Sequence, residues 1–134
     1  MDEEMPRLTR RRDPEARGEV WHIWYDGVMV GTIAATEGLR GSTHWTWTCG
    51  FDTGSLDPGR RSGSEVTYAA ARTAFEAAWR VYLPTRTPAD FDNWRHHAAW
   101  TAEKYARFDR GDRNAPPWPL PGFVFRDAKG KVPG

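Results

Sequence analysis

The stretch EVWHIWYDGVMVGTIAAT, residues 19–36, constrains this chain more than any other. Two runs rich in β-branched and aromatic residues flank Asp26-Gly27, a dipeptide that enters the positive-φ conformation of a type I′ turn at little cost. The pattern predicts a β-hairpin with strands over residues 19–25 and 28–36. A two-residue turn places Tyr25 opposite Val28, Ile23 opposite Val30 and Trp21 opposite Thr32 on one side. The other side then pairs Trp24 with Met29, His22 with Gly31 and Val20 with Ile33. Both faces are largely apolar in this register, so the hairpin requires cover on both or carries a binding surface on one.

After the loop EGLRGST, the segment HWTWTCGF, residues 44–51, alternates polar with large apolar residues and predicts a third strand. Trp45 and Trp47 are expected in the core facing the helices, with His44, Thr46 and Thr48 on the more polar side. The next segment, DTGSLDPGRRSG, is dense in Gly, Pro, Ser and Asp and reads as loop.

Two helices follow. Thr67 is the expected N-cap of the first, and Ala71, Phe75, Ala78 and Tyr82 form its buried stripe with Tyr68 and Trp79 alongside. Arg72, Glu76 and Arg80 lie opposite at four-residue spacing, as exposed ion pairs do. Pro84 ends this helix. TPADF opens the next, with Thr87 as N-cap, Pro88 at the first helical position and Asp90 in the first turn. It should run to about Arg110, where Gly111 stops it. Phe91, Trp94, Ala98, Ala102 and Tyr105 are expected on its inward face. NAPPWPLPG cannot continue a helix and favours an extended path, with Trp118 and Leu120 as pegs onto the domain.

The fold class expected is therefore α+β: a three-stranded antiparallel β-meander followed by two α-helices and a proline-rich extended tail. Residues 1–17 mix acids with Arg10, Arg11 and Arg12 and contain little to bury, so they are expected as a flexible arm. Residues 18–111 form the single domain, and 112–134 the tail, docked on the domain or free.

Eight tryptophans exceed what a minimal core in 134 residues needs, which leaves some for the surface, an interface or the underside of a tail. A net charge of +1 gives no global attraction to nucleic acid or an anionic membrane, so any such binding must use a local patch. The single cysteine, Cys49, excludes an intramolecular disulfide and a multi-cysteine zinc cage. No apolar run approaches the roughly 20 residues that span a bilayer, and no apolar segment follows the N-terminus as in a signal peptide. The expected location is cytoplasmic, with no membrane partner.

From GSEVTYAAARTAFEAAWRVYLP through DFDNWR to EKYARFDRG the chain resembles a group of small uncharacterised bacterial proteins, over most of residues 18–111. That resemblance implies domain limits and no catalytic residues. Three strands followed by an Ala-rich helix opened by a Thr also resemble the integrase arm-type and AP2-type DNA-binding domains. Those domains lay the sheet in the major groove and use basic residues on its exposed face. The three strands predicted here contain no Lys or Arg.

Catalytic and metal chemistry find little support. His22, His44, His96 and His97 show no HExxH or similar spacing, and His96 and His97 diverge by about 100° on a helix, so no metal or other cofactor is expected. Cys49 lies among aromatics with nothing local to activate it, as a structural cysteine does. Arg60 and Arg61 lie in the Gly-rich loop, where they are candidates for contact with an anion.

The sharpest anomaly is Trp100, which projects roughly 160° away from the expected inward stripe. Asn93, His96, Lys104 and Arg107 share its side, and an exposed Trp beside basic groups suits either an interface hot spot or stacked bases. The alternative is that the proline-rich tail folds back over it. The function expected is a non-enzymatic interaction module, engaging a protein partner or itself through Asn93, His96, Trp100, Lys104 and Arg107 and one apolar sheet face. Nucleic-acid binding, with Arg10, Arg11, Arg12, Arg60 and Arg61 as further contacts, is the alternative from a different class. A small enzyme of unidentified reaction is the third.

Overall fold

A computed structural model describes residues 8–51, 59–127 and 129–132. The chain divides into two compact units, Met1–Thr85 and Arg86–Gly134. The first holds a five-stranded antiparallel sheet in sequential order, β1 (Thr9–Arg12), β2 (Val20–Tyr25), β3 (Val28–Glu37), β4 (Thr43–Cys49) and β5 (Arg61–Glu65), followed by helix α1 (Tyr68–Tyr82). The second holds helix α2 (Pro88–Asp109) and the extended segment after it.

Five strands replace the three expected. Thr9–Arg12, read as part of a flexible arm, pairs with β2, and Arg61–Glu65, read as loop, pairs with β4. Neither TRRR nor RSGSE has the alternating apolar residues that announce a strand. Each is an edge strand bonded on one side only, where its ladder and its neighbours' side chains define it. The loop reading of residues 52–58 and the arm reading of residues 1–7 lie outside the described residues.

The β2–β3 turn forms at the expected dipeptide, with positive φ at Asp26 (53°) and Gly27 (76°). Beyond Trp24 and Met29 the register shifts, so that Ile23 pairs with Gly31, His22 with Thr32, Trp21 with Ile33 and Val20 with Ala34. This bulge adds one residue to β3 and corrects the expected pairing. It also resolves the two-faced apolar hairpin: Ile33 turns to the side of Trp21, while Thr32 joins His22 on the other.

The helix-facing side of the sheet is the core of this unit. Ile23, Val28, Val30, Ile33, Trp47, Cys49 and Phe51 are buried together with Ala71, Phe75, Ala78, Trp79 and Tyr82 of α1. Thr67 caps α1 by accepting the Ala70 N–H at 3.0 Å, and the expected helix stripe is the buried one. Arg72 and Glu76 pair at 3.0 Å on its outer side. Trp45 meets Tyr68 edge-on at 5.3 Å, and Trp47 lies across Gly63, where a Cβ would come within 2.8 Å of its indole nitrogen. Trp47 and Cys49 of β4 are therefore core, and Trp45, expected there too, is half-buried at its edge.

Gly31 is required by close approach, because a Cβ there would collide with the Thr48 carbonyl and the Phe75 ring. Gly31→Ala is expected to destabilise the fold by about 1–3 kcal/mol, the usual cost of overpacking a filled core. Denaturant titration followed by Trp fluorescence measures it.

In the second unit Thr87 caps α2 with the expected box: it accepts the Asp90 N–H at 3.2 Å, and Asp90 accepts the Thr87 N–H at 2.8 Å. Gly111 terminates the helix with φ +86°. The inward face does not lie where expected. Phe91 is buried, but Ala98, Ala102 and Tyr105 are exposed, and the helix instead buries Asp92 and His96. The covering segment explains this, since it offers backbone groups, rings and a guanidinium rather than a plain apolar wall.

Candidate functional site

Two surfaces carry chemistry, one in each unit. On α2, Asp92, His96 and Trp100 recur every four residues and form one row. Each holds the segment that runs back after Gly111. Asp92 accepts the Arg126 backbone N–H at 2.7 Å and two guanidinium N–H groups at 2.8 and 2.9 Å. His96 Nε2 accepts the Leu120 N–H at 2.8 Å, and Trp100 Nε1 donates to the Pro116 carbonyl at 3.1 Å. The proline-rich segment is thus read by an indole N–H and an imidazole acceptor, much as aromatic grooves hold polyproline segments.

His96 is fully buried, with the rings of Trp118, Phe123 and Phe125 around it at 4.2, 4.4 and 5.0 Å. Because Nε2 accepts a hydrogen bond, the neutral ring carries its proton on Nδ1, which has no partner. Burial, and then the adjacent His97, hold its pKa below the ordinary 6.5. Asp92 lies below the usual carboxylate value, chiefly through the Arg126 side chain.

Of the residues expected to form a partner surface here, His96 is enclosed and Trp100 is half-buried with its N–H engaged. Arg107 pairs with Glu103 at 2.9 Å, while Asn93 and Lys104 are exposed, Lys104 lying 5.7 Å from the Trp100 ring centre. The row Asp92–His96–Trp100 faces its own chain rather than solvent. The alternative in which the tail covers Trp100 is the one observed.

The second surface is the side of the sheet opposite α1. Cross-strand partners share a face, so Arg11, His22, Thr32, Thr48 and Ser62 form one row across all five strands. Val20, Ala34, Thr46 and Ser64 form the next row. Thr36 and His44 follow, and the Thr36 and Thr46 hydroxyls lie 3.3 Å apart. His22 Nε2 is 3.2 Å from Asp13 Oδ2, whose acidity is raised by the Glu15 N–H first and by His22 second. The Arg11 guanidinium sits 4.6 Å from the ring centre of Trp24 on this same face.

Charge is distributed unevenly. Arg72, Arg86, Arg95, Arg107, Arg110 and Arg126 each pair with a carboxylate. Among the described residues, Arg10, Arg11, Arg12, Arg60 and Arg61 have no ion pair and sit on or beside the two edge strands, and Arg17, Arg40 and Arg113 elsewhere have none either. Arg10 stacks 3.9 Å from the centre of Trp21 and 4.9 Å from that of Tyr68. The sequence singled out the five at the edge strands, but it concealed that four of them, Arg10, Arg11, Arg12 and Arg61, lie in strands. The hydroxyl row had no signal until the bulge set the register.

Among the described residues no group of three or more His, Cys, Asp or Glu is placed to hold a metal ion. Cys49 is buried. No described helix is long and apolar enough to cross a membrane. No family model, curated protein or solved structure matches the chain.

Proposed function

We propose that this chain is a non-enzymatic binding module that holds a nucleic-acid strand across the helix-free face of its sheet. The observation that carries the reading is Arg11, the member of the paired arginine strand that faces this side: it has no acidic partner among the described residues and stacks on Trp24 at the margin of a hydroxyl-lined face. Arginine offers planar donors for phosphate together with a surface for stacking, and threonine and serine hydroxyls bond phosphate and sugar oxygens. The net charge of +1 leaves such binding to a local patch, and no described carboxylate pairs with Arg11 on this face. The three central strands carry no Lys or Arg, and β1 brings Arg11 to this face, while Arg61 of β5 pairs with Cys49 on the helix side.

An NMR titration with a short single-stranded oligonucleotide and with a duplex tests this. Amide shifts concentrated at Arg11, Thr32, Thr46 and Thr48 support the reading. Shifts confined to α2 or to α1 contradict it.

Self-association is the second reading, favoured by Tyr105 and Phe108, which are 62% and 60% exposed on α2. Exposed aromatics of this size are typical interface anchors. Sedimentation at high micromolar concentration should then give a dimer mass that Phe108→Ser returns to monomer, whereas a monomer throughout excludes it.

A further inference from the structure

A cavity of about 160 Å³ opens between β1 and the first turns of α1, on the opposite side of the sheet from the hydroxyl rows. Its floor is Ile23, Ile33 and Phe75, all buried, and Tyr68 forms part of the wall. Arg10, Arg72 and Glu76 also line it. We propose that this cavity binds a small organic monocarboxylate with a compact aromatic or branched body of about six carbons.

Size and charge both support that class. A dry cavity of about 150 Å³ accommodates a benzene ring, so the volume suits one ring and little more. The Arg10 guanidinium is held between the Trp21 and Tyr68 rings and has no carboxylate partner, so its in-plane N–H groups are available to a ligand. Arg72 gives its Nε–H to Glu76 at 3.0 Å, which leaves its terminal nitrogens. Two guanidiniums and one carboxylate give the lining a charge of +1, which matches a single carboxylate and disfavours a dianion such as a phosphate monoester. A carboxylate at Arg10 would accept two parallel N–H bonds while its apolar body covers Ile23 and Ile33.

The test uses the full chain and phenylacetate, followed through the methyl NMR signals of Ile23 and Ile33, with the neutral isostere phenylacetamide alongside. Saturable shifts at these methyls, with a dissociation constant of about 1 mM or tighter, are expected. Arg10→Gln, an exposed position, should weaken phenylacetate about tenfold or more and phenylacetamide much less. Three results would overturn the proposal. One is no saturable shift up to about 10 mM, and another is equal binding of acid and amide. The third is binding that appears only after residues 1–7 are deleted, which would make the chain's own N-terminus the occupant.

Discussion

Acidification from about pH 7.5 to about pH 5 is expected to detach the segment 116–126 from α2, through protonation of His96. The docked state holds a neutral imidazole whose Nε2 accepts the Leu120 N–H inside a cage of three rings. A proton on Nε2 would remove that acceptor and leave a cation in an apolar enclosure. The undocked state takes up the proton near the ordinary value of 6.5, and the docked state only at lower pH. Docking stability is therefore complete above 6.5 and falls as pH decreases below it. Each pH unit, down to the docked state's own lowered value, removes up to about 1.4 kcal/mol, or a factor of about ten. The nearby charges do not reverse this: Asp92 is engaged by Arg126 and Arg95, and His97 adds a like charge. Hydrogen exchange at the Leu120 amide, corrected for its intrinsic pH dependence, reads the effect directly. Protection should fall across this window in the parent chain and stay flat in His96→Leu. Constant protection in the parent would refute the role of His96 in holding the segment.

Asp92→Ala is expected to release the other end of the same segment and to produce the larger loss at neutral pH. Asp92 is about one-tenth exposed and accepts three hydrogen bonds from Arg126, with Arg95 at 3.3 Å. Removing one member of a buried pair costs about 3–5 kcal/mol. Arg126 is 36% exposed here, so water can solvate the orphaned guanidinium, and the expected loss is nearer about 2–3 kcal/mol. The depressed pKa of Asp92 has the opposite pH sense to a raised one: its contribution is present above the ordinary value of 3.8 and is lost as pH falls below it. Acid should therefore loosen the segment in two windows, His96 first and Asp92 later. Trp118 fluorescence in a chain with Asp92→Ala should already resemble the acid-released form at neutral pH. An unchanged spectrum and unchanged Arg126 amide protection would contradict the assignment.

The elements with strong local signals were readable from the residues alone. Asp26-Gly27 announced the hairpin, Thr67 and Thr87 announced the helix starts, and the α1 stripe from Ala71 to Tyr82 was visible by period. What escaped was decided by partners distant in sequence. TRRR is a strand because β2 offers it a ladder and indole faces for its arginines, and RSGSE is one because Gly63 lets Trp47 lie flat across it. The β3 bulge lies beside Gly31, on which Phe75 rests, and it sets the register that lines up the hydroxyl rows. On α2, apolar periodicity selected Ala98, Ala102 and Tyr105. The real contact face is written in polar residues, Asp92, His96 and Trp100, because its partner is backbone and a guanidinium.

Arginines on an edge strand have a second physical use, since charge at an open ladder discourages edge-to-edge pairing between copies. The two uses make different predictions about binding. The most direct measurement is fluorescence anisotropy of labelled single-stranded and duplex oligonucleotides across a salt series, with Arg11→Ala and Arg12→Ala beside the parent chain. Nucleic-acid binding predicts affinity that falls linearly with salt on logarithmic axes, with a slope reduced by about one in Arg11→Ala and little changed in Arg12→Ala, whose partner Trp21 lies on the helix side. No binding at low salt, or binding that Arg11→Ala does not weaken, would contradict it and leave the triplet as a guard on the sheet edge.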